Sequence, residues 1–352
     1  MLTPEQPLAI FMEESLGSPH GKMGYGILRF SRNEVVCVID SCHAGKRVAD
    51  VVPGLRDCPV VGTVAEAVAL GATAMVLGIA PSGGLLPPAW ASQVDEAVAA
   101  GLCVVNGLHD RLSEKYGELR TGQWVWDIRR EPSDLGIAKG RARLLENTRV
   151  LMVGTDMANG KMTAGLMIAQ LAEERGYRSA FIATGQIGIS IMGKGLPLDA
   201  VRVDYAAGAV EKYVLAESDA ELVVVEGQGS LLHPGSTATL PLLRGTMPTH
   251  LILCHRAGQA TLRDFPWLDI PPLAEVAGLY ESVASACGRF PAGKVAGISL
   301  NTSDCGDEEA RAIIEQTERE TGLATTDPVR FGAAPLLAAL GFQRESSSPG
   351  SR

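Results

Sequence analysis

The 352-residue chain has no C-x-x-C pair, no block of Lys and Arg, and no run of 18 apolar residues. Each absence removes a class of function. The seven cysteines (Cys37, Cys42, Cys58, Cys103, Cys254, Cys287 and Cys305) are odd in number and scattered, which argues against a disulfide framework and against a zinc site. The formal net charge of -9 disfavours nucleic acid or an anionic membrane as a partner, because no local cationic block offsets it. No apolar segment is long enough to span a bilayer and no basic-plus-apolar leader opens the chain, so a cytoplasmic protein is expected. No internal repeat is evident.

Hydrophobic residues at 46% and charged residues at 20% predict well-packed cores, and the length predicts two of them. Short β-rich runs alternate with Ala-rich helical windows, the pattern of α/β folds with mainly parallel sheets. Strands are expected at Leu8–Met12, Val35–Ile39, Ala74–Ile79 and Leu102–Val105. A second set is expected at Val150–Val153, Ser179–Ala183, Leu222–Val225, His250–Leu253 and Val295–Leu300. The charged stretch Gly107–Asn147, with Trp124 and Trp126, reads as a connecting segment with a short strand. The boundary is placed near 145, giving a Rossmann-like domain over 1–145, a P-loop domain over 146–340 and a disordered tail over 341–352.

The most informative segment is Gly154-Thr-Asp-Met-Ala-Asn-Gly-Lys-Met-Thr163, between the apolar run Val150–Val153 and the helix-like run Ala164–Ala169. A glycine-rich turn at a helix start aims backbone N–H groups at anionic oxygens, and a lysine on the first turn adds a point charge. Gly154, Thr155, Asp156, Asn159, Gly160, Lys161, Met162 and Thr163 are therefore the expected binding loop. In the usual P-loop a Ser or Thr follows the lysine directly and ligates magnesium. Here Met162 intervenes, which turns Thr163 by about 100° around the helix. Glu226, ending Leu222–Val225 and followed by glycines on both sides of Gln228, suits a carboxylate that holds magnesium or its waters. Asp156 is either a further metal ligand, alongside Thr163 and Glu226, or a helix cap. Asn301 ends another strand and either reads an adenine edge or forms a turn.

These pieces, Gly154-Thr155-Asp156 with Gly160-Lys161, then Val225-Glu226-Gly227, then Asn301, resemble dethiobiotin synthetase and its ATP-dependent relatives. A tighter resemblance rests on Gly154–Thr163 together with Ala183-Thr-Gly-Gln-Ile-Gly-Ile189, Asp204-Tyr-Ala-Ala-Gly-Ala-Val-Glu211 and Val225-Glu-Gly-Gln-Gly-Ser-Leu-Leu-His-Pro234. By these the chain is identified as a member of the domain-of-unknown-function P-loop family that includes DgcN-type D-glutamate N-acetyltransferases. Gly-Lys-Met-Thr is itself that family's form. The resemblance implies acyl transfer from acetyl-CoA to the amine of an acidic, D-glutamate-like amino acid. No Tyr-x-x-x-Lys pair supports NAD-dependent epimerase chemistry.

Amide formation needs a base for the amine and a donor for the developing oxyanion. His233, beyond the Glu226 strand, is the base candidate against a structural role. Gln186, after the Ser179–Ala183 strand, is the oxyanion candidate. Thr184, Gly185, Asp204, Glu211, His255 and Arg256 are the substrate candidates: Arg256 holds a carboxylate or a surface ion pair, and Asp204 and Glu211 bind an ammonium or face solvent. In the first domain Gly17–Gly26 is a weak second anion loop, and the later segments are similar to CoA-binding Rossmann domains. His109, Arg129 and Arg130 are candidate cations for an anionic substrate. The expected cofactor is ATP or acetyl-CoA, with magnesium and without zinc, and the expected partners are a small amino acid and further copies of this chain. The rivals are an ATP-dependent ligase that activates a carboxylate, and a non-catalytic nucleotide switch.

Overall fold

A computed structural model describes residues 2–344. The chain forms two compact units, one of residues Met1–Glu131 with Gly185–Ala200, the other of Pro132–Thr184 with Val201–Arg352. Division thus falls at 131/132 rather than near 145, and residues 185–200 return to the first unit.

The first unit holds a six-stranded parallel sheet: β1 (Leu8–Phe11), β2 (Val35–Ile39), β3 (Val60–Val61), β4 (Ala74–Leu77), β5 (Cys103–Asn106) and β6 (Val125–Asp127). Its order is β3-β2-β1-β4-β5-β6, the doubly wound order of dinucleotide-binding folds. Leu-Ala-Ile-Phe in β1 and Ala-Met-Val-Leu in β4 are buried at every position. Continuous apolar runs of this kind belong to strands covered on both faces. The expected connecting segment is partly strand: β6 carries Trp126 and closes the sheet's edge.

The second unit holds β7 (Thr148–Gly154), β8 (Ser179–Ile182), β9 (Leu222–Val225) and β10 (His250–Arg256), then an antiparallel hairpin of β11 (Thr261–Leu262) and β12 (Phe265–Asp269), then β13 (Lys294–Asn301) and β14 (Ala324–Thr326). The main sheet is parallel, in the order β14-β13-β10-β7-β9-β8. β7 therefore lies between β9 and β10, and the connection from β9 to β10 crosses it. Such a crossing opens a crevice at the strands' carboxyl ends, where ligands bind in open α/β sheets. The start of β7 is fixed by Arg149, only 1% exposed, whose guanidinium donates to the carbonyls of Leu145, Asn147, Thr246 and Met247 at 2.9–3.3 Å.

The expected tail begins later than 341. Phe342 packs edge-on against Tyr177 at 4.8 Å, and the Arg344 N–H donates to the Tyr177 hydroxyl at 3.0 Å. Residues 345–352 of the expected tail lie outside the described residues. Among the described residues no helix is long and apolar enough to cross a membrane.

Candidate phosphate-binding site

The site grows from the carboxyl end of β7. Gly154 leads into the loop, and the helix Lys161–Glu174 starts after Gly160, whose φ of +92° lies in the left-handed region that glycine enters without strain. Ala158 is also left-handed, at φ +55°. Alternation of this sort curls successive N–H groups toward one point, and the helix start adds its own unpaired N–H groups there.

Lys161 is nearly buried at 7% exposure, with its Nζ donating to the Asp156 carbonyl at 2.8 Å. Burial depresses its pKa, against the opposing fields of Cys254, Asp156 and Glu226. The same apolar surroundings push the Cys254 thiol up to about 12. Lys161 is thus a cation short of partners, and an anionic ligand would relieve it. Met162 and Thr163 follow on the first helical turn, both partly exposed.

The loop is pinned from behind by Thr155, fully buried, whose N–H donates to the Cys254 carbonyl at 3.1 Å. With the Asn159 amide oriented to satisfy both ends, its nitrogen donates to the Met157 carbonyl, and its oxygen accepts from the Thr155 hydroxyl at 2.8 Å and the Asp156 N–H at 3.0 Å. The Thr155 proton being so used, the His255 Nδ1–H donates to Thr155 Oγ1 at 2.9 Å. Burial depresses the His255 pKa from the ordinary 6.5 to about 4. Between those values only the unfolded chain binds the proton. Stability should therefore fall as the pH drops from about 6.5 to about 4, by at most about 3 kcal/mol. His255→Gln should flatten that dependence in denaturant titrations across this range.

Asp156 faces three donors. Its Oδ2 accepts from Gln259 Nε2 at 2.7 Å and from the Arg263 N–H at 2.9 Å, and its Oδ1 from the Met157 N–H at 2.6 Å. Burial acts to raise its pKa, but these hydrogen bonds and the field of His233 outweigh it, and the carboxyl ends below its ordinary value. The residue ties the β11–β12 hairpin to the loop. These bonds match the helix-start and loop-tying alternative for Asp156, and its Oδ1 accepts only the Met157 N–H among the described residues. Among the described residues no group of three His, Cys, Asp or Glu side chains is placed to hold a metal ion.

Glu226 is 4% exposed just past β9, and its Oε2 accepts the Thr184 N–H at 2.7 Å while the Thr184 hydroxyl donates to its carbonyl at 2.9 Å. Thr184 is therefore a positioning residue for Glu226. Gln228 Nε2 donates to the Thr184 hydroxyl at 3.2 Å. Further along this loop lies His233, which packs edge-on against Phe265 of the hairpin at 5.1 Å.

The Arg256 Nε donates to the Asp304 carboxylate at 2.9 Å in an exposed ion pair. Asn301 Oδ1 accepts the Ser303 N–H at 3.1 Å, the turn-forming alternative. Asp204 is exposed at the start of the helix Val203–Ala216, whereas Glu211 is buried on it and accepts the Lys139 N–H at 2.9 Å and the Arg141 N–H. The structure thus gives Glu211 a structural partner in the 139–141 backbone. Gly185 and Gln186 fold with the first unit, at the start of the helix Gln186–Met192.

In the first unit two glycines of Gly17–Gly26 face protein atoms. A Cβ on Gly24 would lie 2.3 Å from Met12 Sδ, and one on Gly21 would lie 2.6 Å from the Ser15 carbonyl. Gly21 and Gly24 thus admit the Met12 side chain, while Gly17, Pro19 and His20 are exposed. His109, Arg129 and Arg130 line a groove of about 540 Å³ with Glu114, Glu131 and Asp199. Their charges are locally matched: Arg129 pairs with Asp199 and donates to the Gly107 carbonyl, and Arg130 bonds Ser113 and Glu114.

One site residue has no local signal in the sequence. The Tyr280 hydroxyl, fully buried, donates to the Gly154 carbonyl at 2.7 Å and accepts the Leu231 N–H at 3.0 Å, joining the phosphate loop to the loop that bears His233.

Fold and site define a two-domain α/β protein in which a Rossmann-like domain precedes a P-loop domain. Residues 41–131 match the N-terminal part of the domain-of-unknown-function family DUF1611, described as Rossmann-like, and residues 136–337 match its C-terminal P-loop domain. The chain belongs to this family. It is 46% identical to a DUF1611 family protein from Anabaena variabilis of known crystal structure, with a TM-score of 0.91, covering 96% of this chain and 100% of that one. It is also 34% identical over 341 residues to a protein of Tritonibacter scottomollicae named D-glutamate N-acetyltransferase, covering 96% of this chain and 98% of the relative. A Pseudoalteromonas protein of the same name is 34% identical over 293 residues, covering 82% and 86%.

Proposed function

We propose that the protein transfers an acetyl group from acetyl-CoA to the amine of a small acidic amino acid of the D-glutamate kind, with the phosphate loop holding the adenosine end of the donor. The observation that carries this reading is the 34% identity, along almost the full length of both chains, to a protein named for that activity. The site's chemistry agrees with it. CoA ends in a phosphorylated adenosine diphosphate, an anion suited to the N–H cradle and to a buried lysine. In the transfer, the amine nitrogen, having lost a proton, forms a bond to the thioester carbon. The carbon–sulfur bond breaks, and CoA leaves as the thiol.

A second reading is favoured by Glu226, held at the end of the strand beside the phosphate loop, where nucleotide-hydrolysing folds keep an acid. It is an ATP-dependent ligase that phosphorylates a carboxylate before amine attack. The protein incubated with D-glutamate and acetyl-CoA should release one CoA thiol per N-acetylated product, read by a thiol reagent and mass spectrometry. ADP release that requires both ATP and an amino acid, with no thiol release, would favour the ligase instead.

A further inference from the structure

His233 is 8% exposed, yet its Nε2 has no partner among the described residues. Its other nitrogen, Nδ1, accepts the Gly235 N–H at 3.1 Å. A ring nitrogen that accepts carries a lone pair, so the neutral imidazole has its proton on Nε2. The loop holds this arrangement in place, with the His233 carbonyl accepting the Ser236 N–H at 3.0 Å and Phe265 standing edge-on to the ring. Turning the ring over would break the Gly235 bond, and a proton added to Nδ1 would meet the Gly235 N–H head-on. In this tautomer Nε2 donates rather than accepts.

We infer that His233 is not the base expected from its place in the sequence but a fixed Nε2–H donor to an anionic oxygen of a bound ligand. A buried N–H without an acceptor is destabilising, and a ligand oxygen would offset that. The position agrees. Tyr280 joins the His233 loop to Gly154 of the phosphate loop. The inference rests on the phosphate-loop reading of the site and is independent of which group is transferred. Two oxygens have the required chemistry: a phosphate oxygen of the loop's ligand, and a carboxylate or acyl oxygen of the amino-acid reaction.

The test is nitrogen-15 histidine NMR on the whole protein, which has only six histidines, with the His233 signal assigned by its loss in His233→Gln. Without ligand the Nε2–H tautomer is expected. Movement of that signal with ADP and with CoA identifies a phosphate oxygen, and movement only when D-glutamate and acetyl-CoA are both present identifies the second source. The Nδ1–H tautomer, or a signal that none of these additions moves, overturns the assignment. In parallel, His233→Gln keeps an N–H near the same point and should retain affinity and turnover within about fivefold, while His233→Phe should lose about 10–100-fold in one of them. Equal losses in both variants, with disappearance of the acidic limb of the pH–rate profile, would restore the base role. If the Phe variant does not fold, the tautomer measurement on the native protein decides.

Discussion

Lys161→Met should abolish calorimetric binding of CoA and ADP while leaving the ligand-free protein as stable as before or more so. Removing one partner of a buried, hydrogen-bonded charge pair costs about 2–5 kcal/mol of affinity, roughly 30-fold to several thousand-fold. The stability change has the opposite sign because Lys161 is a burden to the unliganded fold. Its pKa is depressed by burial, so at neutral pH the charged form is held less well folded than unfolded, despite the Asp156 carbonyl 2.8 Å away. An isosteric apolar side chain removes that cost and loses one hydrogen bond. Scanning calorimetry without ligand, beside titration with each ligand, reads both effects. A lower melting temperature together with unchanged affinity would show that Lys161 is a structural cation. Trading stability for a ready site is common where binding needs strained or unpaired groups.

Gly227→Ala should be the most damaging single substitution in the site. A Cβ there would stand 1.6 Å from the Met152 carbonyl oxygen and 2.7 Å from its carbon, both backbone atoms of β7, and 3.0 Å from Lys161 Cδ. Backbone cannot yield as a side-chain tip can, so the end of β9 would have to leave β7 and take Glu226 with it. A loss above about 4 kcal/mol is expected, recovered as insoluble or unfolded protein. Gly160→Ala is the informative contrast. Nothing lies within 4 Å of its missing Cβ, but φ is +92°, so the cost is conformational, about 1–2 kcal/mol. Denaturant unfolding should rank the two in that order, and near-equal losses would mean that the β7–β9 approach is less tight than these distances require.

The fold was legible because its strands are short, apolar and doubly covered, which leaves a strong local trace. Val150–Val153 and Leu222–Val225 were found where expected, and the loop between strand and helix lies within 154–163, the helix beginning at Lys161. Partners of the polar groups were not legible, because a carboxylate carries no local mark of what it will bind. Asp156 finds Gln259 and Arg263 more than a hundred residues away, and Glu211 binds the backbone at 139 and 141. Equal spacing on one helix suggested a shared role for Asp204 and Glu211, but burial differs along that helix and separates them. Glycines misled for a related reason. In Gly17–Gly26 they make room for Met12, whereas at Gly227 the same residue type lets two strand ends meet.

Residues 185–200 give the first unit a debt to a part of the chain made much later. During synthesis its sheet is complete once β6 has emerged, yet the helix Gln186–Met192 arrives only after β7 and β8 of the other unit. The first unit therefore cannot be completed before part of the second has been made, and a gene cut at 131/132 would leave the first without residues 185–200. Residues 1–131 made alone should accordingly lack the helix Gln186–Met192 that belongs to their unit.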